Sequence, residues 1–231
     1  GCGSSAEKKA EDILLNSMQT VDNIFAAELL RLKNIALENE VQKGDWEFIK
    51  AALLAETSDM IPALYWYALP DGSYFTSEQD SVDADLSNRE YFPDLQAGKE
   101  VVGFPIVGKT SGKKSIVVAV PILKEETVTG ILGTSIYLDE LWDFLKEKIV
   151  IPEKYDFYAV STSGITMFDL ETKDHLLDNV LEQTSESLVN AIKTIISSEE
   201  GKVVYVWNEK DKIAVYRTSP VTGWRYVISY Y

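Results

Sequence analysis

Arg89 stands in the run Asp85-Leu86-Ser87-Asn88-Arg89-Glu90-Tyr91-Phe92. Its guanidinium is a planar fork of donors that matches a carboxylate. Tyr91 and Phe92 beside it can wall a dry, shaped pocket, and Tyr65, Tyr67 and Tyr74 upstream can add hydroxyls. The competing reading of Arg89 is a surface residue paired with Asp85 or Glu90, worth under about 1 kcal/mol. For the aromatic residues it is ordinary packing. The single histidine, His175, sits beside Asp174 and reads as a solvated surface residue. One histidine excludes a multi-histidine metal centre and leaves little room for a histidine-based triad. The single cysteine, Cys2, can form neither an internal disulfide nor a Cys-rich zinc site. Asp80, Asp83 and Asp85 carry oxygen ligands or acid–base capacity. However, Asp83-x-Asp85 lacks the glycine and the twelfth-position Glu of an EF-hand loop. No glycine-rich phosphate loop and no Gly-x-Ser-x-Gly elbow occurs. The expectation is a binding protein, with no catalytic residues, no metal and no cofactor.

Composition narrows the partners. Against 37 Asp and Glu stand 22 Lys and Arg, a net charge of −15, which repels a phosphate backbone and argues against nucleic acid. With 45% hydrophobic and 11% aromatic residues in 231, there is material for a core in one large or two small domains. No run of about eighteen apolar residues spans a bilayer.

These residues need elements to hold them. Residues 6–39 contain no Pro or Gly and repeat apolar residues at spacings of three and four, which predicts a helix about 45 Å long, enough for a spine spanning two modules. Asp45 is placed to cap a second helix. Residues 63–69 and 74–76 read as a hairpin closed by Pro70-Asp71-Gly72-Ser73, with Tyr65 and Tyr67 on one face and Trp66 on the other. Residues 77–85 read as a polar loop, and 86–95 as holding a short helix. Strands follow at 101–104, 115–123 and 128–138, the last broken by Gly130 and Gly133, then a helix at 139–148. After Ile151-Pro152 a shorter round repeats the pattern: a hairpin, a helix at 185–197 and three strands. Trp207, Trp224, Tyr230 and Tyr231 read as core of that round. The fold class is α+β, two modules each with an antiparallel sheet flanked by helices. The domains are 6–58 (spine and second helix), 59–150 and 151–231.

At residue level the chain resembles the double Cache domain, the PAS-like extracytoplasmic sensor of chemoreceptors and sensor histidine kinases. The likeness rests on four segments. They are the Arg-x-aromatic-aromatic run ending at Phe92, the turn Thr110-Ser111-Gly112-Lys113, the valine-rich strand from Ser115 to Ala119-Val120-Pro121, and the strand Gly130-Ile131-Leu132-Gly133-Thr134-Ser135-Ile136. The resemblance implies a ligand pocket in the membrane-distal module, 59–150, with Arg89 and Tyr91 where family members grip a ligand carboxylate. It adds Ser135 and Tyr137 by their place on the inner strand. Amino-acid-binding members carry acids where this chain reads Gly108 and Ser135, and a buried ammonium without a partner is costly. The expected ligand is therefore a small carboxylate or an uncharged metabolite rather than an amino acid. Gly1-Cys2 resembles the end of a bacterial lipoprotein signal, which implies a lipid on Cys2 and anchoring outside the cytoplasm. Otherwise the chain is a receptor fragment whose flanking membrane helices are lost. A lipidated chain would present its ligand state to a signalling partner or a second copy of itself. The alternative function is a lipid-anchored protein-interaction module with no small-molecule ligand.

Overall fold

A computed structural model describes residues 4–231, and the expected lipidation site Cys2 lies outside the described residues. Helix α1 is Ser5–Ala36. Ser4 Oγ accepts the Glu7 N–H at 3.2 Å at its start, and the buried positions Ala10, Leu14, Val21, Phe25, Glu28, Leu32 and Ile35 follow the three-and-four spacing of a one-sided helix. Two short helices follow, α2 (Asn39–Gln42) and α3 (Trp46–Leu54), and Asp45 caps α3 by accepting the Glu47 N–H at 3.1 Å. By contacts the chain forms two compact units. One is Ile24–Leu141; the other is Trp142–Tyr231 together with the described residues up to Asn23.

The first unit is built on a six-stranded antiparallel sheet. Its strands are β1 (Ala63–Ala68), β2 (Ser73–Thr76), β3 (Asp80–Asp85), β4 (Val101–Val107), β5 (Lys114–Lys124) and β6 (Thr127–Tyr137), with helix α4 (Phe92–Gln96) between β3 and β4. The spatial order is β3-β2-β1-β6-β5-β4. β3 falls where a loop was expected. It is an exposed, acid-rich edge strand paired irregularly with β2 alone, so it lacks the apolar alternation that reveals a strand, and its charges guard an open edge. One sheet face meets helices. Glu28, 2% exposed, accepts from the Arg31 guanidinium at 2.8 and 3.1 Å and from the Thr134 hydroxyl at 2.7 Å. Arg31 also donates to the Leu53 carbonyl at 3.0 Å and lies over the Tyr65 ring. Trp46 stacks on Tyr67 and Phe75. The other face is an apolar layer of Trp66, Ala68, Tyr74, Val117 and Ala119 against Phe92 and Leu95 of α4.

The second unit carries a five-stranded antiparallel sheet. Its strands are β7 (Tyr155–Val160), β8 (Thr166–Asp169), β9 (Glu200–Trp207), β10 (Lys210–Thr218) and β11 (Arg225–Tyr230), in the order β8-β7-β11-β10-β9. Helix α5 (Leu138–Lys148) ends in this unit, and α6 (Glu186–Ser197) starts at Ser185, whose hydroxyl accepts the Leu188 N–H. On one sheet face Phe157, Phe168, Trp224 and Tyr226 interlock edge to face. Asp22 of α1 accepts from the Tyr226 and Ser219 hydroxyls at 2.7 and 2.6 Å. The opposite face holds Tyr158, Val160, Tyr216 and Val227 against Ile192 and Ile195 of α6. Of the aromatic residues expected in this core, Trp224 and Tyr230 are buried, Trp207 is half-buried and Tyr231 is exposed. The two rounds expected from the sequence thus appear as two sheets of one plan, each with one face against α1 and a second face that carries a shorter helix and a cavity.

Candidate functional site

In the unit Ile24–Leu141 the sheet face that carries α4 opens into a cavity. Its floor is sheet: Leu64 and Trp66 from β1, Tyr74 from β2 and Ser135 from β6. Its wall is Leu86, Arg89 and Tyr91 from the segment before α4, and its rim is 106–111 between β4 and β5. Strand pairing explains the floor. Trp66 lies opposite Gly133 on β6, and a Cβ at Gly133 would run into the indole ring. Glycine there lets the Trp66 ring lie flat on the next strand, and its Nε1–H donates to Ser135 Oγ at 3.1 Å. The rim turn is closed by Gly108 and Gly112 N–H bonds to the Lys113 and Gly108 carbonyls, both 2.9 Å. A Cβ at Gly108 would meet Ser111 Oγ, so a side chain there requires the Ser111 hydroxyl to turn aside.

The electrostatics are cationic with aromatic walls. Arg89 Nη2 donates to the Val107 carbonyl at 2.8 Å, and Lys109 Nζ to the Asp85 carbonyl at 2.9 Å. Arg89 Nε is buried with no hydrogen-bond partner. Burial raises the Tyr91 and Tyr74 phenols, while the Arg89 charge pulls each of them down. Both therefore stay protonated near neutral pH and able to donate. No carboxylate lines this cavity.

Tyr74, Arg89, Tyr91 and Ser135 are thus brought to one cavity. Four expected site residues are not. Tyr65 and Tyr67 point to the opposite face, under Arg31 and Trp46. Alternation separated them from Trp66 correctly, but the cavity lies on the Trp66 side. Phe92 is fully buried in the apolar layer as the first residue of α4. Tyr137 shares the strand face of Ser135 but sits two residues beyond it, with Lys113 4.3 Å above its ring and its hydroxyl donating to Glu78 at 3.2 Å. Burial, then Glu78, pushes its phenol up to about 12. Sequence reasoning missed Trp66, Lys109 and Ser111. The glycine opposite Trp66 and the lysine inside the glycine-bounded turn were the available signals.

Comparison with known proteins agrees with this architecture. A match to the Cache domain family runs over residues 4–230. No curated protein sequence matches the chain. The sensory domain of the Campylobacter jejuni chemoreceptor Tlp3, with isoleucine bound, is similar at 16% identity and a TM-score of 0.70, over 97% of this chain and 92% of that one. The ligand-binding domain of the Pseudomonas aeruginosa PAO1 amino acid chemoreceptor PctB, in complex with L-Gln, is similar at 16% and 0.73, over 96% and 89%. The extracellular domain of the putative histidine kinase mmHK1S-Z2 is similar at 18% and 0.73, over 97% and 96%. At these identities the likeness is one of fold. It corrects one expectation: domains of this fold hold isoleucine and L-Gln, so a small carboxylate in preference to an amino acid does not follow from the missing acids.

Proposed function

The chain belongs to the Cache domain family, and from that premise we propose that it is an extracytoplasmic sensor domain whose cavity in the unit Ile24–Leu141 takes a small ligand bearing a carboxylate, amino acids included. The observation that carries this reading is Arg89. A buried guanidinium nitrogen without a partner is costly to leave unpaired, and it stands in a cavity wall beside a second cation and two protonated tyrosines. A carboxylate would accept from Arg89 and from the Tyr74 and Tyr91 hydroxyls, with Lys109 at the mouth. The ligand's body would lie on Trp66 and Leu64. The other member of the function class, a lipid-anchored interaction module, has no observation of its own in its favour. Among the described residues no helix is long and apolar enough to cross a membrane.

Occupancy stabilises the folded unit by mass action, about 2.7 kcal/mol at one hundred times Kd, and that stabilisation is the physical form of the signal. The test is a thermal-shift screen of L-amino acids and short carboxylates, followed by calorimetry on the best binder. Arg89→Ala should weaken that binder at least tenfold and Lys109→Ala by less, with the unliganded melting temperature of Lys109→Ala unchanged. Binding unaffected by Arg89→Ala would reject the assignment.

A further inference from the structure

The second unit has a cavity of its own, larger than the first. It opens on the sheet face that carries α6, and its residues come from strands topologically equivalent to those of the first cavity: β7 for β1, β8 for β2 and β9 for β4. Its chemistry is the reverse. At one end stand Asp156 of β7, Asp169 of β8 and Glu171 just beyond, with carboxylate oxygens all within 4.8 Å of one another. None of the three is in an ion pair with a cation; Lys212 acts on the pair only through its charge. At the other end the lining is apolar and aromatic, with Val160, Leu188, Ile192 and Trp207, and with Tyr158 and Tyr205 joined hydroxyl to hydroxyl at 3.1 Å.

A second observation points the same way. Ser229 of β11 lies opposite Asp156 in the strand register, so its side chain stands on the same face. It is 1% exposed, and its hydroxyl makes no hydrogen bond of ordinary length, its one neighbour being the Tyr205 phenol of the same cavity. Three carboxylates with no ion-pair partner stand at the polar end of the pocket, which Lys212 also lines, and the buried Ser229 hydroxyl lies on the same sheet face. His175, expected to be solvated, is half-buried on the rim, 3.1 Å from Asp178.

We propose that this cavity is a second ligand site, for an organic amine, with the ammonium held among Asp156, Asp169 and Glu171 and the apolar body against Trp207 and the tyrosine pair. The aromatic and apolar end of the cavity favours an amine over a bare divalent cation, which would leave that end without a partner. Without ligand, burial and the neighbouring Asp169 push Asp156 up to about 9, and burial raises Asp169 as well. The pair therefore shares a proton at neutral pH. An arriving ammonium replaces that proton, which passes to the buffer. This inference does not depend on the function proposed for the first cavity.

The test is calorimetry on the whole chain at pH 7 with phenethylamine as probe and 2-phenylethanol as its neutral counterpart, in phosphate and in HEPES, and with CaCl2 in HEPES. The expected result is one phenethylamine per chain, close to one proton released, and the alcohol at least tenfold weaker. Asp169→Asn should lose at least tenfold. Glu171→Gln, at the exposed rim and safe for folding, should lose about threefold. Arg89→Ala, in the other cavity, should stay within twofold. Equal binding of amine and alcohol, or affinity unchanged in both Asp169→Asn and Glu171→Gln, would overturn the proposal. Calcium binding that Glu171→Gln weakens, with no phenethylamine binding, would overturn it in favour of a metal site.

Discussion

Asp156, with its neighbour Asp169, links folding to pH. Its carboxyl is raised to about 9 in the folded protein, by burial and then by Asp169, against about 3.9 in an unfolded chain. An acid raised in this way binds more protons folded than unfolded between those values. Its effect on stability is therefore unfavourable as pH climbs from about 4 to about 9, by up to about 1.4 kcal/mol per pH unit for each proton difference. The exposed acids held low by hydrogen bonds, Asp71, Asp80 and Asp85, titrate below that window and leave it clear. The melting temperature of the unliganded protein should fall between pH 5 and pH 8. In Asp156→Asn, which keeps the shape and the neutral state, that fall should shrink and the pH 8 value should rise. A slope identical in the two proteins would show that Asp156 is ionised throughout. At this scale the residue type is readable but its surroundings are not. Arg89 can be singled out from its neighbours in sequence. Asp156 cannot, because its partners come from β8 and β11 and only strand pairing unites them.

Among elements, β6 sets the first cavity. Its glycines look like breaks in a strand, yet β6 is continuous over eleven residues and pairs on both sides. Gly133 is required by packing, since its missing side chain is the space the Trp66 ring occupies. Gly133→Ala should therefore overpack the sheet by about 1–3 kcal/mol, a fall of several degrees in melting temperature for a chain of this size, and should weaken ligand binding in the first cavity. Unchanged melting and binding would mean the indole has room to move. The same element level explains what was legible. Helices α1, α3 and α6 and the long strands announce themselves by period and capping residue. β3 does not, because an acidic edge strand has no buried face to mark it. Alternation separates Tyr65 and Tyr67 from Trp66, but which face the helices cover depends on α1 and α3 reaching the sheet.

Across the whole molecule, two units repeat one sheet plan with opposite charge in the cavity. The net charge of −15 gives no hint of this. It argues against a nucleic-acid partner but does not show that one cavity presents Arg89 and Lys109 while the other presents three carboxylates. The repeat itself was legible, because each round begins with a hairpin and ends in three strands. Each cavity also contains one of the five tryptophans, Trp66 in the first and Trp207 in the second. Trp224 is sealed in the core, and Trp46 and Trp142 are packed elsewhere. The protein thus has an intrinsic optical gauge at each site, readable with no attached label. A carboxylate ligand should change an emission component that disappears in Trp66→Phe, and phenethylamine one that disappears in Trp207→Phe. A phenethylamine response that survives Trp207→Phe would put the amine somewhere else.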